Sequence, residues 1–501
     1  MRRAARLGLI GLSVLVAPLG MVAQVPQAPA TPEIHLQRAD AFFAEGRYRE
    51  AREAYREALA AGDRRTATSA ATGLVLSLLR VADFLAAAEE AQQFREARPD
   101  DPALAALHGE ALWALGVFAG AEATFEAALA ADPAQPRARH GRARSLGAQN
   151  RLAEAVADAR DAIRLDPKAA DFHHTLGYLY ERMGRLEDAI DAYSRYVERL
   201  PNRDRSDQVA AMRLRIRFLQ SFRNRRPMEI QGGAGNQIWR IPITITEDKV
   251  LVRARINKGT YDVVLDTGAE QTVVSREVAR RERIAPASYV RAAGVGESGV
   301  RGLQVGRIDE LQIGDLTIRN VPCLIKNPPL GGTLGQEPSA LSPLALGLSM
   351  RIDYASRQLV LARTLPPAPH THSLPLRMHR LALVGGTLNE RLPAAFAVDT
   401  GGEVITISHE AAGLIGSDAR FRRIPLRVFG TSGWDKEAFL MPAVDLEFDT
   451  LRFSSIPVVV LDLRAPSALL GFKLGGTLGH QFLSRYRVSI DLVRSVLELE
   501  P

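Results

Sequence analysis

The chain has 501 residues, of which 46% are hydrophobic, and a formal net charge of +7. This length exceeds a single hydrophobic core, so two to four domains are expected, and the ordinary hydrophobic content excludes extensive disorder. Arginines scattered along the chain carry most of the positive excess. A basic surface therefore accounts for the charge better than a nucleic-acid partner does. The single cysteine, Cys323, excludes an intramolecular disulfide.

Residues 1–23 have the three parts of a secretory signal peptide. Arginines near the N-terminus precede an apolar run from Leu7 to Leu19, and small residues follow it. The pattern predicts an exported protein, periplasmic or secreted, with a flexible leader over 24–32. The alternative is an uncleaved segment that anchors the chain to a membrane, which Pro18 and the short apolar run oppose.

Residues 33–222 repeat with a period of 34 residues, in a composition rich in Ala, Leu, Glu and Arg. Prolines and alanines carry the period: Pro99, Pro133, Pro167 and Pro201, and Ala87, Ala121, Ala155 and Ala189. The period predicts five helix–turn–helix units, with a capping helix over 204–222. The array resembles a tetratricopeptide-repeat domain, whose concave face is a candidate site for a protein partner or a peptide. A role as spacer or dimerisation surface is the alternative.

The second half of the chain contains one pattern twice. The segment Leu265 to Ala269, with the sequence LDTGA, returns as VDTGG from Val398 to Gly402, and each copy lies between β-rich runs. A Gly-rich patch follows each copy at a similar distance, and the letters GGTLG occur at both Gly331 to Gly335 and Gly475 to Gly479. Each copy is interpreted as strand, tight turn and strand. Two such turns in matched contexts predict a duplicated element that holds one rigid, exposed carboxylate in each copy.

The Asp-Thr-Gly triplets, the Gly-rich patches and a late Leu-Gly-x-x-Phe-Leu before a strand with Ile-Asp resemble the retropepsin-like aspartic peptidases of bacteria. The resemblance implies an all-β, double-lobed peptidase with closed-barrel lobes, following the α-helical solenoid. Lobe 1 is assigned to 238–363 and lobe 2 to 375–501. The linker 223–237 precedes lobe 1, and the Pro-rich connector 364–374 separates the two lobes.

The resemblance also implies one active site that both lobes build. Asp266 and Asp399 would share a proton, so that one activates a water molecule and the other protonates the scissile carbonyl oxygen. The supporting residues would be Thr267, Gly268, Thr400 and Gly401, with flap glycines at Gly294, Gly296, Gly430 and Gly433. This chemistry requires a protein or peptide substrate and no metal or cofactor.

Two departures from the family pattern alter these expectations. Gly402 stands where pepsin-like members carry a Ser or Thr that acidifies the dyad, so activity is expected at weakly acidic to near-neutral pH. Lobe 1 also has more residues between Gly331 and Ile352 than lobe 2 has between Gly475 and Ile490, so its structural helix is expected to be displaced.

The function predicted from the sequence is an aspartic endopeptidase whose repeats recruit substrate or partner proteins. One alternative is a non-catalytic exported scaffold or peptide-binding protein that acts through its repeats. Another keeps the activity but pairs each lobe with its counterpart in a second chain, so that each site would contain two copies of Asp266 or of Asp399.

Overall fold

The computed structural model describes residues 31–62, 66–201, 206–232, 235–246, 249–296, 299–326, 339–415, 423–430 and 432–501. The predicted signal peptide and nearly all of the predicted leader lie outside these ranges. Within them, no helix combines the length and the apolar character that a membrane crossing requires.

The N-terminal part is an array of antiparallel helix pairs. Its helices are α1 Pro32–Ala44, α2 Tyr48–Ala60, α3 Ala67–Arg80, α4 Phe84–Ala97, α5 Pro102–Ala114, α6 Phe118–Ala131, α7 Pro136–Ala148, α8 Leu152–Leu165, α9 Ala170–Arg182, α10 Leu186–Arg199 and α11 Asp207–Gln220. Consecutive helices pack together, and α3, α5, α7 and α9 also contact one another in series. Glycines allow this close packing: a Cβ at Gly141 would overlap the ring of Phe125 on the preceding helix. The predicted solenoid is confirmed.

Lobe 1 is built almost entirely of β-strands. Its elements are β1 Glu229–Ile230, β2 Ile238–Thr246, β3 Lys249–Ile256, β4 Gly259–Leu265, β5 Thr272–Ser275, α12 Arg276–Arg281, β6 Pro286–Ala293, β7 Val300–Ile313, β8 Leu316–Lys326, β9 Ala340–Leu341, β10 Ser349–Asp353 and β11 Gln358–Ala362. Buried and less buried positions alternate along β8, as a strand with one face on a core requires. β1 lies inside the predicted linker and pairs with β8.

Lobe 2 repeats this order. Its elements are β12 His372–His379, β13 Leu381–Leu388, β14 Leu392–Val398, β15 Thr406–Ser408, α13 His409–Ile415, β16 Ile424–Pro425, β17 Val428–Gly430, β18 Gly433–Asp435, β19 Phe439–Phe448, β20 Leu451–Leu461, α14 Arg464–Leu470, β21 Leu474–Leu478, α15 His480–Leu483, β22 Arg487–Asp491 and β23 Val496–Glu500. The hairpin that follows its first helix has strands of only three residues each, β17 and β18. β12 begins inside the predicted connector.

The two lobes share the same internal crossing. In lobe 1, β4 pairs in parallel with β9 and β5 in parallel with β8. In lobe 2, β14 pairs in parallel with β21 and β15 in parallel with β20. Parallel pairing places the ends of β4 and β14, where the two Asp-Thr-Gly triplets begin, on equivalent edges of the two lobes.

One antiparallel sheet joins the lobes, with strand order β2-β11-β10-β22-β23-β12. At its centre, Met350 of lobe 1 lies opposite Ile490 of lobe 2. The buried side chains of both lobes form a single hydrophobic cluster around this sheet. The lobes are therefore one folded body and not two domains on a tether.

The register of β9 corrects one expectation from the sequence. The backbone N–H of Asp266 donates to the carbonyl of Leu341 at 2.8 Å, as that of Asp399 donates to Leu478 at 3.0 Å. Leu341 is therefore the counterpart of Leu478, and the equivalence of Gly331–Gly335 with Gly475–Gly479 is wrong. The first of those segments lies outside the described residues.

This correction also changes the meaning of the extra residues in lobe 1. Measured from Leu341, the distance in sequence to Ile352 nearly equals that from Leu478 to Ile490. A short 3-10 turn, Leu344–Leu346, follows β9 in the place where α15 follows β21. Asp266 and Leu341 are also slightly closer in sequence than Asp399 and Leu478. Lobe 1 therefore has no additional chain in this register, and the elements next to the Asp-Thr-Gly turn keep their spacing.

The helical array packs against both lobes. Arg377 on β12 donates to both carboxylate oxygens of Glu122 on α6, each at 2.6 Å. The N–H of Lys473 donates to the carbonyl of Ala114 at 2.7 Å. On lobe 1, the hydroxyl of Ser288 donates to the carbonyl of Leu214 on α11 at 2.8 Å.

Candidate active site

Two matching turns bring Asp266 and Asp399 together within one chain. Each Asp directly follows the buried end of a strand, β4 or β14, and precedes the turn to the next strand. The side chains of Asp266 and Asp399 lie within hydrogen-bonding reach of each other. This geometry is the intrachain pairing, and it requires no second chain.

Two threonines connect the turns beneath the carboxylates. Thr267 and Thr400 are 1% and 0% exposed. The Thr267 hydroxyl donates to the carbonyl of Val398 at 2.6 Å and accepts the N–H of Thr400 at 3.1 Å. The Thr400 hydroxyl donates to the carbonyl of Leu265 at 2.7 Å and accepts the N–H of Thr267 at 3.1 Å. Each threonine therefore binds the strand end of the opposite lobe, so the two turns are held in one register.

The glycines let each turn pass across the opposite carboxyl group. A Cβ at Gly401 would lie 2.5 Å from the carboxyl carbon of Asp266, and a Cβ at Gly268 would overlap the carboxyl group of Asp399. The N–H groups of Gly401 and Gly402 donate to Oδ1 of Asp399 at 3.0 and 2.9 Å. Glycine is required here because of this close approach, not because of a positive φ.

The two carboxyl groups titrate above their ordinary range. Burial, and then the charge of Asp399, raises the pKa of Asp266 to about 7. Burial also raises the pKa of Asp399, while the N–H groups of Gly402 and Gly401 lower it. Two half-buried carboxyl groups in contact cannot both ionise easily, so the pair holds one proton over a wide pH range. Such a pair can act as an acid and a base at the same time.

Two hairpins meet above the carboxyl pair. We call them flap 1, formed by β6 and β7, and flap 2, formed by β17 and β18. The N–H of Ser432 donates to the carbonyl of Val295 at 2.8 Å, and the Ser432 hydroxyl accepts the N–H of Gly294 at 3.0 Å. A Cβ at Gly296 would lie 2.5 Å from the carbonyl oxygen of Gly433.

All four flap glycines predicted from the sequence therefore lie at or beside the contact between the flap tips. Gly294 and Gly296 belong to flap 1, and Gly430 and Gly433 pair with each other in flap 2. Residues 297, 298 and 431 lie outside the described residues.

One ion pair beside the motif was missed by the sequence reasoning. Glu270 follows the first Asp-Thr-Gly-Ala directly and accepts from Arg380 of lobe 2 at 2.7 and 3.0 Å. The N–H of Arg380 also donates to the hydroxyl oxygen of Tyr178 on α9, at 3.2 Å. An acidic residue next to the motif was the available signal for Glu270. No local signal marks Arg380 or Tyr178, because each is distant in sequence.

A cavity of about 2330 Å³ lies between the flaps, the carboxyl pair and the helical array. We call it the chamber. Its lining includes Asp266 and Asp399 from the lobes, and Arg80, His174 and Tyr178 from the array. The cleft of the lobes thus opens toward the helices.

In the described part of the chain, no three His, Cys, Asp or Glu side chains are grouped so that they could hold a metal ion. Cys323 is buried, and burial raises the pKa of its thiol to about 12, so it is a packing residue.

Comparisons with known families divide the chain in the same way. The tetratricopeptide-repeat model matches residues 23–70, 72–136 and 140–204. A model described as gag-polyprotein putative aspartyl protease matches 252–337, and one described as aspartyl protease matches 384–481. The two protease matches fall on the two lobes separately.

The individual relatives are repeat proteins by name, and their matches are short. TPR repeat-containing thioredoxin TTL4 of Arabidopsis thaliana is 38% identical over 81 residues, which are 16% of this chain and 12% of that protein. Inactive TPR repeat-containing thioredoxin TTL3 of the same plant is 35% identical over the same shares. Among solved structures, a thermophilic TPR protein of Thermus thermophilus is similar at 19% identity and a TM-score of 0.31, covering 38% of this chain and 100% of that chain. The alignments with the two thioredoxins of Arabidopsis thaliana span about an eighth of the length of those proteins.

Proposed function

Because this chain joins tetratricopeptide repeats to two retropepsin-like lobes, we propose that it is an aspartic endopeptidase that hydrolyses peptide bonds in protein or peptide substrates. One observation carries the proposal: Asp266 and Asp399 share a hydrogen bond at the junction of the two turns, where the opposite turn's glycine passes over each carboxyl group. The proposal includes export from the cytoplasm, which rests on the sequence of residues 1–23 alone.

In the proposed reaction the two carboxyl groups take different roles. Burial raises the pKa of both, and each accepts two backbone N–H groups from its own turn, so the pair holds one shared proton. The ionised carboxylate removes a proton from a water molecule as the water oxygen bonds to the scissile carbonyl carbon, and its protonated partner gives its proton to the carbonyl oxygen. The proton taken from water then passes to the leaving amine as the C–N bond breaks. One hydroxyl of the intermediate returns a proton to the carboxylate that had protonated the carbonyl oxygen, which leaves a carboxylic acid and restores the dyad.

The substrate would lie as an extended strand between the carboxyl pair and the flap tips. Such a strand binds mainly through main-chain hydrogen bonds, with side chains in alternating pockets. The two hydrogen bonds between Ser432 and flap 1 must break for a strand to enter, so flap opening belongs to the catalytic cycle.

The test compares wild type with Asp266→Asn and Asp399→Asn on an unbiased peptide library from pH 4 to 8. Asp262→Asn is the matched control, because Asp262 lies on the same strand as Asp266 but is exposed and paired with Arg253 at 3.0 Å. Cleavage by wild type and by the control, with a loss of roughly 100-fold or more in both active-site variants, supports the proposal.

Other outcomes each replace a part of the proposal. If one active-site substitution leaves cleavage unchanged, the shared dyad is wrong. If wild type cleaves no peptide in this range, the endopeptidase assignment is wrong, and an exported scaffold that acts through its repeats takes its place.

A further inference from the structure

One surface of the helical array faces the carboxyl pair. It is formed by α3, α5, α7 and α9, which contact one another in series, and we call it the inner wall. Each of them lines the chamber: Arg80 lies on α3, Glu110 on α5, Arg144 on α7 and His174 on α9. The sequence predicts this concave side as a site for an external partner, but in the structure it is a wall of the catalytic cleft.

The wall is attached to lobe 2 by an apolar seam. Trp113 packs edge-on against Phe118 and against His379 of lobe 2, with ring centroids 4.8 and 5.7 Å apart. Phe472 of lobe 2 completes the group, 5.5 Å from Phe118. Burial of large aromatic side chains at a contact stabilises it considerably. This seam therefore holds the array in a defined position on lobe 2.

Buried polar contacts close the seam on either side. The Arg377–Glu122 pair is bidentate and mostly buried, with side chains 15% and 18% exposed. Arg182 of α9 donates to the carbonyl of Met378 at 3.3 Å. A planar guanidinium held by two oxygens fixes both distance and orientation, so this pair sets where the array sits on lobe 2.

The array also supports the base of flap 1. Helix α11 packs along β6, and Val290, Val305 and Leu324 of lobe 1 join the hydrophobic cluster of Phe218 and Phe222. Movement of the array would therefore change both the width of the chamber and the support of the flap.

The dimensions of the chamber limit what can reach the carboxyl pair. Its volume, about 2330 Å³, exceeds an ordinary small-molecule pocket more than twofold. A folded domain of 100 residues has a radius of gyration of about 13 Å, which corresponds to a sphere of roughly 20,000 Å³. The chamber is about one order of magnitude too small for such a domain, whereas an extended strand fits.

We propose that the docked array is a size filter, so that the protein cleaves chains that enter the chamber in extended form, such as unfolded proteins and peptides, and spares folded ones. This inference rests on the proposed endopeptidase function and adds its substrate class. Specificity then comes from access to the carboxyl pair. The repeats contribute to it by lining the chamber and not by binding an external partner.

A linker-length series tests the filter. A peptide that wild type cleaves is fused to a stable folded domain through flexible linkers of increasing length, and cleavage is measured on the full-length protein. A helix is about 10–12 Å wide, so a wall two helices thick adds roughly seven extended residues to the linker that an open cleft would need. We expect loss of cleavage below a threshold length and cleavage at the rate of the free peptide above it.

Variants at the seam identify the array as the cause of the threshold. Glu122→Arg places two arginines face to face, and their repulsion is expected to loosen the array and so to shorten the threshold linker length. Adding Arg377→Glu restores the ion pair and, with it, the original threshold length. Glu126→Arg is the control, because Glu126 lies on the same helix but contacts Arg142 within the array.

The outcomes separate this inference from the proposed function. Cleavage of every fusion at the rate of the free peptide overturns the size filter and leaves the endopeptidase standing. A threshold that stays the same in Glu122→Arg overturns the role of the array. If wild type cleaves no free peptide from which to build the fusions, the proposed function itself is wrong.

Discussion

Replacing Thr400 by valine removes a hydroxyl but keeps the shape of the side chain. The substitution leaves the N–H of Thr267 and the carbonyl of Leu265 without the partners that they have at 3.1 and 2.7 Å. Thr400 is 0% exposed, so water cannot easily replace the hydroxyl. A buried polar group that loses its partner costs about 1–3 kcal/mol, so the two groups together cost about 2–6 kcal/mol.

This loss acts where the two lobes meet, so it should be measured there. We expect amide hydrogen exchange to accelerate in the segments that contain both Asp-Thr-Gly turns, while the helical array stays unchanged. Peptide cleavage should fall with it, because the carboxyl groups lose their common register. Exchange is preferred to a single melting temperature, since a chain with several domains need not unfold in one step.

Thr400→Ser is the matched control. It keeps the hydroxyl and removes only a methyl group, so its cost should stay near about 1 kcal/mol. Equal effects of the serine and valine variants would refute the reasoning, because they would show that packing of the methyl group, and not the pair of hydrogen bonds, holds the turns together.

Three further changes test the site. Because burial and the neighbouring carboxylate raise the pKa of Asp266 to about 7, the proton on the dyad is held at pH 5–6 and lost as the pH rises through 7; the rate of peptide cleavage should therefore fall above pH 7, and a flat profile to pH 9 would contradict this. Ser432→Ala removes the acceptor of the Gly294 N–H at 3.0 Å, a hydrogen bond that contributes about 1 kcal/mol to the contact between the flap tips. The substitution should change KM for peptides more than kcat. Gly401→Ala should abolish cleavage, since its Cβ would lie 2.5 Å from the Asp266 carboxyl carbon. Gly413→Ala, whose Cβ would meet no atom within 4 Å, should retain activity.

The fold is largely predictable because its signals are local and repeated. Prolines at a fixed period mark the ends of helix pairs, and Pro102 and Pro136 begin α5 and α7. The duplicated Asp-Thr-Gly turn similarly marks the same point in two lobes. A family resemblance then supplies what the letters alone do not, namely that the two turns face each other.

The register of β9 was not predictable, because identical letters do not imply identical positions. A strand is assigned by its hydrogen bonds, and Leu341 makes those that Leu478 makes although its neighbours differ. The five letters at Gly331–Gly335 match better in sequence, and yet another segment takes the place beside Asp266. Short Gly-rich identities are weak guides to register, since glycine carries no side chain to fix a face.

The position of the array was equally hidden, since contacts such as Glu122 with Arg377 join residues far apart in sequence. Its consequence follows from the duplication. In a symmetric dimer of identical lobes, any helix that supported one flap would have an equivalent on the other. In this chain the lobes are covalently joined and free to differ, so α6 docks on lobe 2 while α11 supports flap 1. A single array can therefore cover one cleft from one side, an arrangement that two-fold symmetry would forbid.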